Sequence, residues 1–155
     1  MESSPFAVLL ELGRKAREAE SEQELQFLLV NDSHALAPYR QAALWQRDGR
    51  VRCLSGLIQI ERNVPYTLWL DALFRHLNET GHSGCVDRST LPEALERDWD
   101  EWLPSEALWL ALGPAGGVLL ARDLPWRDAE IALLREWSAI WWQCWQLRRC
   151  QGRRG

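Results

Sequence analysis

The sequence predicts an α+β domain in which an antiparallel sheet carries the terminal helices on one face and a helix-and-loop segment on the other. Three observations lead there. Two hairpin signals, Asp48-Gly49 and "GPAGG" at 113–117, make neighbouring strands antiparallel, because glycine accepts positive φ at little steric cost. Residues 107–112 and 118–121 are apolar at every position, and a strand apolar on both faces must be covered on both faces. Apolar residues recur at helical spacing near both ends of the chain.

The elements follow in order. Phe6, Leu9, Leu10, Gly13 and Ala16 place a helix over residues 5–19. "SEQE" at Ser21–Glu24 is a capping box, in which the Ser21 hydroxyl accepts from the N3 amide and Glu24 reaches back to the N-cap amide. It opens a second helix from Glu22 to about Leu36, with Leu25, Leu28, Leu29 and Leu36 inward and Pro38 as its stop. Residues 40–60 read as two strands around Asp48-Gly49. "VPYTLWLDALFRHLNETG" reads as a helix ending near Gly81. "HSGCVDRST" is a loop or short strand, and "LPEALERDWDEWLPSE" is irregular or short helical structure bounded by prolines. A second hairpin turns at "GPAGG", and residues 125–150 form a long closing helix. Residues 1–20 are thus an N-terminal helix, 21–147 the domain body, and 148–155 a basic tail.

Composition narrows the class of function. A chain of 155 residues with 46% apolar and 26% charged content is long enough to bury a core without disulfide or metal staples. A net charge of −4 argues against a nucleic-acid partner, which calls for a basic face. Cys53, Cys85, Cys144 and Cys150 form no C-x-x-C pair, which suits a reducing compartment. The start of the chain lacks the basic region and small-residue cleavage site of a signal peptide, and no run of about 18 apolar residues occurs. The expected location is cytoplasmic.

Three stretches resemble a GAF domain, a sensor module that binds ligands and partners: "SEQELQFLLVNDSHALAPYRQAALWQRDGRVRCLSG" its entry helix and first hairpin, "ALWLALGPAGGVLLARDLPW" its late hairpin, and "DAEIALLREWSAIWWQCW" its closing helix. The resemblance spans roughly residues 20–147. The tryptophan-rich, arginine-ended variant also resembles a cytoplasmic region that precedes the transmembrane helix of some bacterial HlyD-like membrane-fusion proteins, adaptors of efflux or secretion. That would make the domain membrane-tethered only through a parent chain beyond Gly155, with "RRCQGRR" as a positive-inside flank. The chain departs from the ligand-binding subfamilies: no cysteine stands in the setting used for bilin attachment, and no cyclic-nucleotide signature occurs. No cofactor is expected.

Catalytic constellations are weak. His82 and Cys85 have a zinc-like H-x-x-C spacing, but Asp87 is a poor further ligand, so no metal is expected. Glu96, Asp98, Asp100 and Glu101 read as a solvated acidic face. "GPAGG" precedes a strand, not a helix, so it is a turn and not a phosphate loop. Ser55-Gly56 lacks the nucleophile elbow. The expectation is a non-enzymatic protein.

The ten tryptophans carry what functional signal there is. Given a GAF-like fold, Trp69, Trp99 and Trp102, with Leu54, Ile58 and a strand tryptophan (Trp45 or Trp109), flank an apolar pocket for a planar or apolar small molecule; the alternative is that they only fill that face. On the closing helix, apolar residues from Ile131 to Leu147 spread over an arc of roughly 220°, where one packing surface needs about 100°. The excess points to a homodimer through the first and last helices, with Phe6, Leu10, Trp137, Trp141 and Trp142 as anchors. Two functions compete on this reading: a sensory or ligand-binding module that regulates a membrane-attached transport or secretion partner, and a pocketless scaffold for dimerisation or docking.

Overall fold

A computed structural model describes residues 4–46, 48, 50–56, 60–81, 83–113 and 116–154, with side chains as far as Gln151. The helices are α1 (Pro5–Glu18), α2 (Glu22–Asn31), α3 (Pro65–Thr80), α4 (Glu93–Arg97), α5 (Trp99–Trp102) and α6 (Asp128–Arg154). The strands are β1 (Gln41–Gln46), β2 (Arg50–Leu54), β3 (Gly84–Cys85), β4 (Glu106–Ala111) and β5 (Gly116–Arg122). Among the described residues they form one antiparallel sheet in the order β2-β1-β5-β4-β3. The α+β class and the two-sided covering are as the sequence predicts.

Period-2 alternation sorts the strand residues between two cores. Ala42, Leu44, Leu108, Leu110, Val118 and Leu120 face α1, α2 and α6. Ala43, Trp45, Ala107, Trp109, Leu119 and Ala121 face α3, α4 and α5. The strands apolar on both faces are therefore the central ones, each buried by a different layer.

Local chemistry sets most boundaries as expected. Ser4 and Ser21 cap α1 and α2, the Ser21 hydroxyl accepting from Glu24 N at 3.0 Å while Glu24 Oε2 accepts from Glu20 N at 2.8 Å. Gly81 ends α3 at φ +68°, a conformation costly for any residue with a Cβ. The end of α2 differs from expectation. It stops at Asn31, and residues Asp32–Ala35 tighten into a 3₁₀ turn. The Ser33 hydroxyl donates back to Leu29 O, and Asn31 turns outward to accept from Gly56 N at 3.0 Å, so polar side chains near the helix end bond the backbone in place of a further helical turn. The closing helix is longer than expected, reaching Arg154.

The second hairpin is built around its glycines. A Cβ on Gly117 would lie 2.4 Å from the Trp109 ring, and one on Gly113, at φ +59°, 2.8 Å from the Trp142 ring. Bare backbone at these two positions seats an indole on either side of the sheet. Gly49, Pro114 and Ala115 of the predicted turns lie outside the described residues.

Candidate functional site

The predicted pocket residues converge on the face covered by α3–α5. Trp45, Leu54, Trp69, Trp99 and Trp109 are buried there with Phe74, and Trp102 is half-buried at the edge; Ile58 lies outside the described residues. Phe74 stacks on Trp109 with ring centroids 5.5 Å apart, and Trp69 meets Trp99 edge-on at 5.7 Å. Such pairs add about 0.5–1.5 kcal/mol beyond area burial. Two of these indoles have acceptors, Trp69 Nε1 donating to Leu95 O at 3.1 Å and Trp99 Nε1 to Pro104 O at 2.8 Å. Trp45 Nε1 is fully buried and has none among the described residues.

Two features behind this face were not visible in the sequence. Asp71 on α3 is buried and accepts from Val51 N at 2.7 Å, which pins the helix to the edge strand β2 and satisfies an otherwise open strand amide. Arg88 pairs with Glu96 at 2.6 Å and Asp100 at 2.9 Å while its guanidinium lies 5.3 Å from the Trp99 ring centroid. The acidic run of α4 and α5 is thus a clamp in part, not a solvated face throughout. Only its charge pattern showed in the sequence; the arginine that gathers it lies well outside the run.

The proposed dimer anchors separate into two groups. Phe6 and Leu10 stand on the surface of α1, 71% and 74% exposed. Trp137 and Trp141 are buried at 1% each and are corrected as anchors, because both are used inside the chain. Trp137 Nε1 donates to the Ser33 hydroxyl at 2.7 Å, and Trp141 Nε1 to Leu25 O at 2.6 Å. Trp142 is half-buried and lies against Gly113. The wide arc of α6 is met largely from within: α2 and the sheet take Leu134, Trp137, Trp141 and Trp145, Gly13 of α1 comes beside Ile140, and the hairpin turn takes Trp142.

The most perturbed acid is structural. Glu130 at the start of α6 is buried and accepts two hydrogen bonds from Arg122, at 2.5 and 2.9 Å. Those bonds, with the Arg127 amide at 3.0 Å, outweigh burial and lower its pKa from 4.5 to about 2. Arg122 also donates to the Pro38, Leu124 and Pro125 carbonyls and lies over the Trp126 ring, so it closes the end of the sheet. Tyr39 donates to Val30 O, and burial raises its pKa. Burial likewise raises the Cys53 thiol to about 11, a direction away from nucleophilic use. Cys85 lies on β3, His82 lies outside the described residues, and among the described residues no three metal-ligating groups gather. No helix among them is long and apolar enough to cross a membrane.

No protein-family profile and no curated protein matches the sequence. Among solved structures, the GAF domain of the cyanobacteriochrome TePixJ superposes with a TM-score of 0.57 at 16% identity, covering 86% of this chain and 93% of that one. The fold is that of a GAF domain. At this identity the likeness speaks for the GAF architecture alone.

Proposed function

We propose that the chain is a non-enzymatic GAF-like sensory or ligand-binding module that takes a planar or apolar small molecule on the face beneath α3–α5. The observation that carries this reading is the Trp45 indole N–H, fully buried in the apolar core of that face and without an acceptor among the described residues. A buried donor left unmade costs about 1–3 kcal/mol, which a ligand bearing an acceptor would recover. Two of the perturbed titratable groups, Glu130 and Tyr39, are committed to structural bonds, which supports a binding role over a catalytic one. The tryptophan-rich, arginine-ended α6 supports the finer reading, that the domain sits on the cytoplasmic side and regulates a membrane-attached transport or secretion partner.

Intrinsic fluorescence titrated against a panel of metabolites and drugs tests the reading. The expected result is a saturable change for at least one planar compound, weakened in Trp45→Phe. If nothing in the panel shifts either fluorescence or melting temperature, the ligand reading is lost. A second reading then stands, a docking or dimerisation scaffold, favoured by Phe6, Leu10 and Leu147, all more than 60% exposed on the terminal helices. Light scattering across micromolar concentrations tests that one directly, with Leu10→Ser as the variant that should shift a dimer towards monomer.

A further inference from the structure

α1 and α2 form a helical hairpin joined by the short turn at 19–21, and their outer seam is not closed. Two depressions lie along it, of about 490 Å³ and 560 Å³. Lys15 and Asp32 line both, so the two meet at that pair and make a groove interrupted by it. On α1 it runs from Ala7 to Glu18, about 17 Å at the helical rise of 1.5 Å per residue. Its floor is apolar, with Leu12 and Leu28 buried and Val8 half-buried. Phe27 projects into it with 55% of its surface exposed, an aromatic ring in contact with water.

The rim is acidic. Glu11, Glu18, Glu24 and Asp32 line it, against Lys15 within it and Arg14, which pairs with Glu11 and Glu18 from the flank. Lys15 is the only lysine in the chain, and its contact with Asp32 is loose, at 3.7 Å between side chains that are 46% and 37% exposed. Exposed pairs of this kind contribute little. An incoming guanidinium can take Asp32 from Lys15 at small cost and hold it with two parallel bonds, which an ammonium cannot.

We propose that this groove is a docking site for a basic amphipathic helix of a partner protein. The helix would lay its apolar stripe on Phe27 and Val8, over a floor backed by Leu12 and Leu28, and set arginines against Glu18, Glu24 and Asp32. Charge complementarity selects the sign of the partner, and the rim repels anionic membrane surfaces. A groove about three helical turns long with an aromatic anchor fits the helix-in-groove mode of recognition. The site lies on the opposite side of the sheet from the ligand face, so its occupancy does not depend on that reading.

The test uses the whole chain and a fluorescein-labelled peptide of about 14 residues, roughly four helical turns, made of leucine and arginine in amphipathic order. Two control peptides carry glutamate in place of arginine, or the same composition in scrambled order. Anisotropy at physiological salt should give saturable binding of the amphipathic peptide alone. Phe27→Ala should weaken it about tenfold, as expected for loss of an aromatic anchor. The double variant Glu18→Lys/Asp32→Lys should weaken it by a similar factor, Lys15→Glu should tighten it, and Glu136→Lys on the outer side of α6 should leave it unchanged. Circular dichroism checks folding; should Phe27→Ala unfold, the sign of the Lys15→Glu effect decides. Equal binding of the scrambled peptide, equal sensitivity to Glu136→Lys, or no binding at all would each overturn the proposal.

Discussion

The two faces of the sheet are both filled with indoles, yet they are assembled differently. On one side Trp137, Trp141 and Trp145 project from a single 27-residue helix, and the first two reach acceptors on the 3₁₀ turn and on α2. On the other, Trp69 comes from the 16-residue α3, while Trp99 and Trp102 both sit on the four-residue α5, which follows the five-residue α4. Helices that short do not persist without tertiary anchors. Trp99, with Arg88 beside it, is that anchor. The first face is held by continuity of backbone and the second by side chains that gather separate pieces. A face of the second kind is the one suited to opening, because its parts can separate without unwinding a long helix.

The largest effect that tests this contrast is truncation of one indole from each face. Trp141→Ala and Trp99→Ala should each cost about 3–5 kcal/mol, the usual range for a buried tryptophan. They should differ in kind. Trp141→Ala should lower protection against hydrogen exchange throughout the domain, whereas Trp99→Ala should first expose amides of residues 93–103. Uniform loss of protection in both variants would erase the distinction between the faces.

Next in size is Glu130. Its pKa is lowered in the folded protein, so its contribution to stability is complete above the unfolded value near 4.5 and is lost as pH falls from there towards about 2. Urea unfolding of the wild type should therefore weaken across that window by an amount on the order of 3 kcal/mol. Glu130→Gln should be less stable at neutral pH by about 3 kcal/mol, the scale for breaking a buried ion pair. It should also lack most of the acid dependence. A wild type whose stability is flat between pH 5 and 2.5 would contradict the assigned role.

A smaller and sharper comparison sets Trp69→Phe against Trp45→Phe. The first removes a satisfied donor and strands the Leu95 carbonyl, at a cost of about 1–2 kcal/mol. The second removes a donor that has no acceptor among the described residues and should be within about 1 kcal/mol of neutral, or stabilising. If thermal melting ranks them in the opposite order, Trp45 Nε1 has a partner after all. The smallest effect expected is that of Arg40→Ala, whose pair with Asp123 is exposed on both sides and should be worth less than about 1 kcal/mol.

What was legible in the sequence were the features that neighbours along the chain decide. The Ser21 capping box, the Gly81 stop and the two hairpins all follow from residues within four positions of each other. The fates of individual tryptophans were not legible in this way. An apolar arc on α6 gives the amount of surface to be covered but not what covers it. Trp137 and Trp141 are claimed by α2 and the turn after it, far back in the chain, and Trp142 by a bare glycine in a hairpin. Arg88 was equally hidden, since its acids lie on two later helices that only the fold brings to it. The early end of α2 lay between these cases. Asn31 and Ser33 are poor helix residues in sequence, but the acceptance of Gly56 N that fixes the turn is a tertiary contact.

The bonds from α6 back to the start of the chain have a consequence for biosynthesis. Trp137, Trp141 and Arg148 reach residues 104, 116 and 129 positions earlier, and they supply the partners of the 3₁₀ turn, of α2 and of the Ala19 carbonyl just past α1. A ribosome makes α1 and α2 first and α6 last. Throughout that interval the leucines of both early helices have only each other and the first hairpin to cover them, and central strand β1 waits for β5 on one side. Contacts so distant in sequence form late and slowly. The nascent chain should therefore remain open, and dependent on holding chaperones, until residue 148 has left the exit tunnel.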